Sequence, residues 1–103
     1  MPEHSDADLP HPADAADRLV FLDRQGCHLC AQAWPVVAAE AARAGTGVDR
    51  RDVDEDPQLA ARFGDQVPVV ILDHRIHARY RVDARQLRAA LAPGPRWRRL
   101  LPF

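Results

Sequence analysis

Residues 19–30 of the chain, with the sequence LVFLDRQGCHLC, decide its predicted fold. The first four residues form a continuous apolar run that ends at a Gly-containing turn, a pattern typical of a buried β-strand. The Ala-rich segment from Cys27 to Ala44 is closed by Gly45 and predicts a helix with a C-terminal glycine stop. Pro35 lies inside this segment, and we expect it to kink the helix. Both cysteines therefore lie where a strand passes into a helix.

The pattern continues with a second strand, a second helix and a third strand. Residues 48–53 are heavily charged and predict a strand at a sheet edge. Asp56 is a good N-cap and Pro57 has the backbone geometry of a first helical turn, so a helix begins there and ends at Gly64. Residues 67–72, with the sequence VPVVIL, predict a buried central strand.

A hairpin and a last helix complete the domain. Residues 76–82 alternate apolar and polar side chains, as in a half-buried strand, and the short turn at 73–75 implies an antiparallel hairpin. Asp83 with Gln86 forms a predicted capping box for a helix over 84–92. The order is β-α-β-α-β-β-α, and a strand-helix-strand crossover implies a parallel pair. We therefore predict an α/β fold with a four-stranded mixed sheet and three helices.

Length and charge set the class of protein. The chain has 103 residues, enough for one domain, and 14 basic residues nearly balance 15 acidic ones. We expect no nucleic-acid binding, because a dedicated binder is clearly basic, and no membrane span, because no apolar stretch approaches about 20 residues. The acidic N-terminus lacks an apolar run and so does not resemble a secretory signal. We expect a cytoplasmic monomer.

The ends of the chain differ from its centre. We predict that residues 1–17 form an acidic, disordered arm, that 18–92 form the folded domain, and that 93–103 form a basic tail. The tail contains aromatic residues. It either folds back to cover an exposed face, through Trp97, Leu100 and Phe103, or docks on a partner.

The two cysteines are the main indication of function. They lie three residues apart and are the only cysteines in the chain, too close together to stabilise a whole fold. Near a βαβ pattern, this spacing is typical of a redox pair. The predicted helix N-terminus places unpaired N–H groups at Cys27, which favours its thiolate, the species that attacks disulfides. Cys30 lies one turn later, so we predict Cys27 as nucleophile and Cys30 as resolving thiol.

For three further residues the sequence leaves two interpretations open. A protonated His28 would further favour the thiolate, but His28 is equally typical of a solvent-facing first-turn residue. Arg24 could hold a substrate carboxylate or be a solvated loop arginine. Pro68 cannot donate to a sheet ladder, so it requires a cis bond or an exposed strand start.

The combined pattern resembles the thioredoxin/glutaredoxin superfamily. The resemblance covers about residues 18–92 and rests on the Cys27–Cys30 pair after a first strand, Pro35 beyond it, and Val67-Pro68 before the third strand. It is closest to small bacterial glutaredoxin-like proteins with a C-x-L-C site and a V-D-x-D-P stretch, here residues 53–57. The resemblance implies a thioredoxin-like fold of glutaredoxin type and an enzyme that reduces disulfides or mixed disulfides. It implies no bound cofactor, with glutathione or another low-molecular-weight thiol as a candidate co-substrate, and recycling by such a thiol or a reductase.

The resemblance also implies roles for particular residues. Pro68 would be the cis-proline that faces the cysteine pair, and the backbone of Val67 would pair with bound peptide or glutathione. Arg24 matches a basic residue that in glutaredoxins contacts the glutathione carboxylate. Glutaredoxins usually carry a Gly-Gly pair before the last helix, whereas residues 80–83 here are Tyr-Arg-Val-Asp. The resemblance thus implies that Asp83 would lie near the γ-glutamyl end of bound glutathione.

Two other functions use the same residues. The cysteines could bind a metal or an iron–sulfur cluster, with His28, His74 or His77 as further ligands. A structural zinc site usually has four ligands, so a dimer would have to share the metal. Alternatively, the chain is a non-catalytic thioredoxin-fold binding module whose tail, residues 96–101, docks on a partner.

Overall fold

The computed structural model describes residues 9–92, which form three helices and four strands. In chain order these are β1 (Leu19–Asp23), α1 (His28–Ala44), β2 (Val48–Asp52), a 3-10 turn (Val53–Glu55), α2 (Pro57–Phe63), β3 (Val69–Leu72), β4 (Arg75–Arg79) and α3 (Ala84–Leu91). This is the predicted order of elements.

The four strands form one mixed sheet in the order β2-β1-β3-β4. β1 is parallel to β2 and antiparallel to β3, and β3 is antiparallel to β4. The predicted α/β fold with a four-stranded mixed sheet is confirmed. β2 is the predicted edge strand and β3 lies inside the sheet. β3 begins at Val69, later than predicted, as Pro68 has no N–H to give to the ladder.

Local capping sets the ends of the helices. Gly45 ends α1 with a φ of 76°, in the left-handed region that glycine adopts freely. Asp56 caps α2 by accepting the N–H groups of Gln58 and Leu59, and Pro57 occupies its first turn. Pro35 lies within α1, and the kink predicted there stays a prediction.

Both faces of the sheet are buried. Leu19 and Phe21 of β1 pack with residues of α1 and α3, whereas Val20 and Leu22 pack on the opposite face with Phe63 of α2. This two-sided burial is why β1 is apolar over four successive residues rather than alternating. The structure is therefore a sheet between two helical layers, with α1 and α3 on one side and α2 on the other.

The N-terminal segment completes the face that carries α2. α2 has seven residues, a length of about 10 Å, which is too short to cover this face. Leu9 fills the remaining space and is only 3% exposed. The Ala13 N–H donates to Asp49 at 2.7 Å, and Arg51 donates to the His11 carbonyl oxygen. We call residues 9–17 the N-terminal strap.

The strap corrects one prediction. A disordered arm was expected over residues 1–17, and this is wrong for residues 9–17, because Leu9 is part of the core. Residues 93–103 lie outside the described residues, and with them the predicted packing of Trp97, Leu100 and Phe103. Within residues 9–92, no helix is both long enough and apolar enough to span a membrane.

An ion pair between the buried Glu40 of α1 and the half-exposed Arg88 of α3 joins the two helices on the other face. The Glu40 side chain is 7% exposed and accepts hydrogen bonds from Arg88 Nε at 2.9 Å and from a terminal Arg88 nitrogen at 2.7 Å. These hydrogen bonds hold the pKa of Glu40 below its ordinary value of 4.5. A carboxylate with a lowered folded-state pKa stabilises the fold fully above its unfolded pKa. That contribution is lost as the pH falls through the folded pKa.

We therefore expect acid to destabilise the native protein more than a Glu40→Gln variant. Urea unfolding at a series of pH values should show a higher free energy of unfolding for the native protein than for Glu40→Gln at neutral pH. This difference should narrow below about pH 4.5. A Glu55→Gln variant is the control, since Glu55 is exposed and makes no ion pair in the described part of the chain. Parallel pH profiles for the native protein and Glu40→Gln would show that the pair does not contribute this way.

Candidate active site

Cys27 is the N-cap of α1. Gly26, with a φ of 76°, turns the chain out of β1, and the Cys27 N–H donates to the Arg24 carbonyl oxygen at 3.3 Å. Cys27 has an extended backbone, and its Sγ accepts the N–H of Cys30 at 3.2 Å. The first N–H groups of a helix lack intrahelical partners and carry partial positive charge. One of them is therefore directed at the Cys27 sulfur.

The two cysteines are joined but differ in exposure. Their Sγ atoms lie at disulfide-bonding distance and their Cα atoms are 5.2 Å apart, within the usual range for a disulfide. Cys30 is 2% exposed and belongs to the core beside Val20 and Leu22. Cys27 is partly exposed. Cys27 is therefore the more accessible of the two residues.

A cleft of about 620 Å³ opens beside the cysteines, between the start of α1 and the connection from β2 to α2. Its walls are rich in charged side chains of both signs. They include Asp23, Arg24, Arg50, Asp52, Glu55 and Asp56, together with both cysteines. The cleft is therefore polar and open to solvent.

Arg24 lies in the wall of this cleft, but its guanidinium is already engaged. Two of its nitrogens donate to the Asp54 carboxylate, both at 2.9 Å, and a third donates to the Gly64 carbonyl oxygen at 3.0 Å. A side chain at Gly64 would come within 2.9 Å of Arg24. The ion pair with Asp54 also raises the pKa of Arg24. Arg24 thus ties the loop before Cys27 to the turn before α2, and the role of binding a substrate carboxylate stays a prediction.

His28 is exposed in the first turn of α1. Its Nε2 lies 3.1 Å from Nε2 of Gln32, one helical turn further on. Both alternatives drawn from the sequence, a group that favours the thiolate and a solvent-facing residue, are compatible with this position.

Val67 and Pro68 lie directly before β3. The peptide bond between them is cis. Val67 is 8% exposed and belongs to the same core cluster as Cys30. Asp83 instead caps α3, accepting the Gln86 N–H at 2.9 Å. Val67 thus shares its packing with the cysteine pair, whereas the Asp83 carboxylate is occupied by its helix.

Of the three histidines suggested as further metal ligands, His28 is next to Cys27 in α1, whereas His74 and His77 are not brought to the cysteines. His74 lies at the turn between β3 and β4, where its Nδ1 is 2.7 Å from Nδ1 of His11. The residue pairing of Leu72 with Leu19 places this turn at the end of the sheet opposite Cys27. His77 lies within β4, on the far side of β3 from β1. Within residues 9–92, no group of three or more His, Cys, Asp or Glu could hold a metal.

One residue of the cleft was missed at the level of sequence. Asp23 is 7% exposed, and its carboxylate accepts a hydrogen bond from Arg50 at 2.9 Å. The Arg50 guanidinium also stacks over the Trp34 ring, 4.3 Å from its centroid. An acidic residue directly after a buried strand was the available signal. Its partner Arg50 lies 27 positions further along the chain and could not be identified without the strand register.

These features define a class: a domain with the thioredoxin fold and a cysteine pair at the start of its first helix. The family model for the glutaredoxin-like domain (DUF836) matches residues 18–92. The chain therefore belongs to the glutaredoxin-like domain family DUF836, within the thioredoxin/glutaredoxin superfamily.

Individual relatives agree with this membership. Uncharacterized protein Rv0508 of Mycobacterium tuberculosis is 38% identical over 77 residues, which cover 70% of this chain and 79% of the relative. The structure of protein XcR50 from X. campestris aligns with a TM-score of 0.56 and 31% identity, over 75% of this chain and 99% of that one. The structure of a mutant thioredoxin from Halobacterium salinarum aligns with a TM-score of 0.53 and 27% identity, over 71% and 69% of the two chains.

Proposed function

We propose that this protein is a thiol–disulfide oxidoreductase that reduces disulfides or mixed disulfides through Cys27, with Cys30 as the resolving thiol. The observation that carries the proposal is the geometry at the start of α1. There, Cys27 Sγ accepts a helix N-terminal N–H and is partly exposed, while Cys30 is buried within bonding distance. A reducing compartment such as the cytoplasm would supply the pair in its dithiol form.

Exposure and hydrogen bonding decide which cysteine attacks. Only a thiolate is an effective nucleophile toward a disulfide, and an N–H donor at a helix N-terminus stabilises the thiolate relative to the thiol. Cys27 has this donor and is the more exposed residue of the pair. A substrate disulfide cannot reach Cys30, so Cys30 reacts only with a sulfur already bonded inside the site.

The first step forms a mixed disulfide. The Cys27 thiolate attacks one sulfur of the substrate disulfide, a Cys27–substrate S–S bond forms, and the other substrate sulfur leaves as a thiolate. This leaving thiolate takes a proton from solvent. No net oxidation has occurred at this point, because one disulfide has replaced another.

The second step resolves the intermediate. Cys30 loses its proton to solvent and attacks Cys27 Sγ, which forms the Cys27–Cys30 disulfide and releases the remaining substrate sulfur as a thiolate. This thiolate also takes a proton from solvent. The substrate has then gained two electrons and two protons. The cysteine pair has given up the two electrons and the Cys30 proton, and solvent supplies the second proton because Cys27 entered the reaction as a thiolate. Two molecules of a low-molecular-weight thiol such as glutathione, or one dithiol reductase, then reduce the pair and leave as the disulfide.

The neighbouring residues have proposed supporting roles. The backbone of Val67, adjacent to the packed cysteines, would pair with the bound peptide or glutathione as an added strand. His28, exposed beside Cys27, would favour the thiolate when protonated. A substrate carboxylate at Arg24 would compete with Asp54 for the guanidinium, so binding there would loosen the loop before Cys27.

The resolving role gives a direct test. We expect Cys30→Ser protein to accumulate a covalent Cys27–substrate mixed disulfide, because no second thiol is in place to release it. Intact-protein mass spectrometry after reaction with an oxidised peptide would detect the adduct, and excess low-molecular-weight thiol should release it. Rapid release without an added thiol would contradict the role of Cys30.

A further inference from the structure

Two histidines meet at the end of the sheet remote from the cysteine pair. His11 lies in the N-terminal strap and His74 in the turn between β3 and β4, and both residues are exposed. Their Nδ1 atoms are 2.7 Å apart, and their rings are tilted by 55° with centroids 4.6 Å apart. The fold thus joins two imidazoles that are 63 positions apart along the chain, and the proposed redox chemistry uses neither.

The turn holds His74 in an unusual backbone position. Asp73 and His74 have φ values of 51° and 69°, as in the two-residue type I′ turns of β-hairpins. Glycine is the usual residue at the second position of such turns, because it adopts a positive φ without strain. Residues other than glycine in this region cluster at functional sites. A ligand-binding role would explain why an imidazole, rather than glycine, stands here.

The two facing nitrogens are available to a ligand. A hydrogen bond between two neutral imidazoles requires a proton on one Nδ1 and none on the other. No further hydrogen bond to a residue within 9–92 fixes the tautomer of either ring. When neither Nδ1 carries a proton, both lone pairs are free to bind one cation. A neutral imidazole nitrogen is the commonest metal ligand in proteins.

The separation of the two nitrogens indicates the kind of metal. A bond from a metal to a histidine nitrogen is about 2.0–2.1 Å long, so two such bonds at a right angle place the nitrogens about 2.9 Å apart. Bonds at the tetrahedral angle, as for Zn²⁺, place them about 3.3 Å apart. The observed 2.7 Å is nearer to the right-angled arrangement. Square-planar and tetragonal sites of this kind are typical of Cu²⁺ and Ni²⁺.

The charged groups around the histidines are already paired. Both oxygens of the Asp73 carboxylate accept hydrogen bonds from Arg18, at 2.9 and 2.8 Å. Arg51, which donates to the His11 carbonyl oxygen, forms an ion pair with Asp49. Within the described residues no third His, Cys, Asp or Glu completes the site. Water would therefore fill the remaining positions around the metal.

We propose that His11 and His74 form a binding site for a divalent metal ion of the Cu²⁺ or Ni²⁺ type, which ties the N-terminal strap to the β3–β4 turn. The strap carries Leu9 into the core cluster that includes Cys30, so the metal would also secure the packing around Cys30. An unfolded chain does not hold the two histidines together, so the metal stabilises the native state. The site is separate from the cysteines and does not depend on the proposed function.

Nickel titration of the untagged, oxidised protein tests the site. With Cys27 and Cys30 joined as a disulfide, their thiols cannot bind the metal. Isothermal titration calorimetry with NiCl₂ at neutral pH should show one saturable event, with one Ni²⁺ per chain. At a free Ni²⁺ concentration about ten times the measured Kd, the Tm should rise by about 5–10 °C, and EDTA should reverse the rise. The electron paramagnetic resonance spectrum of the Cu²⁺ form should be tetragonal, with coupling to two nitrogens.

Single histidine variants separate metal binding from folding. His74→Gly gives the turn its usual residue, so the Tm without metal should stay the same or rise, whereas the Ni²⁺ affinity should fall about tenfold or more. His11→Ala should weaken Ni²⁺ binding to the same extent, because one imidazole remains. His28→Ala is the matched control, since it removes an equally exposed imidazole beside Cys27 and should keep the native affinity.

Each result decides a part of the proposal. The absence of a saturable Ni²⁺ event, or native affinity in His74→Gly, would overturn the metal site. Weakened binding in His74→Gly but not in His11→Ala would overturn the tie between the strap and the turn, as would a Cu²⁺ spectrum with coupling to one nitrogen only. An equal loss of affinity in His28→Ala would place the metal at the other end of the sheet and contradict the assignment.

Discussion

Cys27→Ser protein is expected to lose disulfide reduction, with turnover falling by a factor on the order of 10³ or more, as for loss of other catalytic nucleophiles. The hydroxyl of serine occupies nearly the same space as the thiol but does not exchange with disulfides. In this variant the Cys30 N–H, which donates to the Cys27 sulfur in the native protein, would no longer have a thiolate to stabilise. Steady-state reduction of a disulfide by a low-molecular-weight thiol, with and without the protein, measures the effect.

The control variant carries the same kind of change elsewhere on α1. Ala42→Ser introduces a hydroxyl on the exposed surface of the same helix, remote from the cysteines, and should keep full turnover. Thermal unfolding of the reduced proteins should show that Cys27→Ser is folded. Turnover by Cys27→Ser close to that of the native protein would exclude Cys27 as the nucleophile.

Leu9→Ala is expected to lower the free energy of unfolding more than any other substitution proposed for this chain. Truncation of a fully buried leucine to alanine costs about 2–5 kcal/mol, through lost apolar contact and the cavity left behind. Leu9 is 3% exposed and packs against the sheet face that the short α2 leaves open. Urea unfolding at neutral pH should therefore show a decrease in the free energy of unfolding near the lower half of that range.

Conservative and surface variants calibrate this result. Leu9→Met keeps the volume of the side chain and should cost less than about 1.5 kcal/mol. His11→Ala changes an exposed residue of the same strap and should have a smaller effect than Leu9→Ala. If Leu9→Ala changed the unfolding free energy by less than about 0.5 kcal/mol, the strap would not be part of the stable core in solution.

The parts of the fold that depend on local chemistry were predicted from the sequence. The apolar run of β1, Gly45 after α1, and the Asp56-Pro57 start of α2 each fix a boundary through neighbours along the chain. The hairpin between β3 and β4 follows from a short turn. Such signals need no knowledge of distant partners, and this is why the element order was correct.

The parts that depend on distant partners were missed. Leu9 is a single apolar residue among prolines and acidic side chains, and only the short length of α2 creates the space that it fills. The sequence left Arg24 either as a contact for a substrate carboxylate or as a solvated loop arginine. The fold also brings Asp54, thirty positions away, within 2.9 Å of its guanidinium. Local sequence carries no signal for either contact.

In the candidate site, too, the features set by local sequence were predicted and those set by distant contacts were not. The Cys27–Cys30 spacing and the strand-to-helix transition are local features, and they are sufficient to indicate a redox pair. The separation of His74 from the cysteines depends on strand register, which places the β3–β4 turn at the opposite end of the sheet. The left-handed backbone of Tyr80 also depends on tertiary hydrogen bonds, because tyrosine itself does not favour that conformation.

The most direct test of the redox assignment is the equilibrium of the native cysteine pair with defined thiol–disulfide buffers. Alkylation of free thiols followed by mass spectrometry gives the oxidised fraction at each buffer potential. We predict one reversible two-electron transition of Cys27 and Cys30, at a potential between about −270 and −120 mV, the range of characterised redox proteins of this kind. A pair that stays oxidised in strongly reducing buffer, below about −300 mV as for structural disulfides, would contradict the assignment, as would a pair that never forms the disulfide.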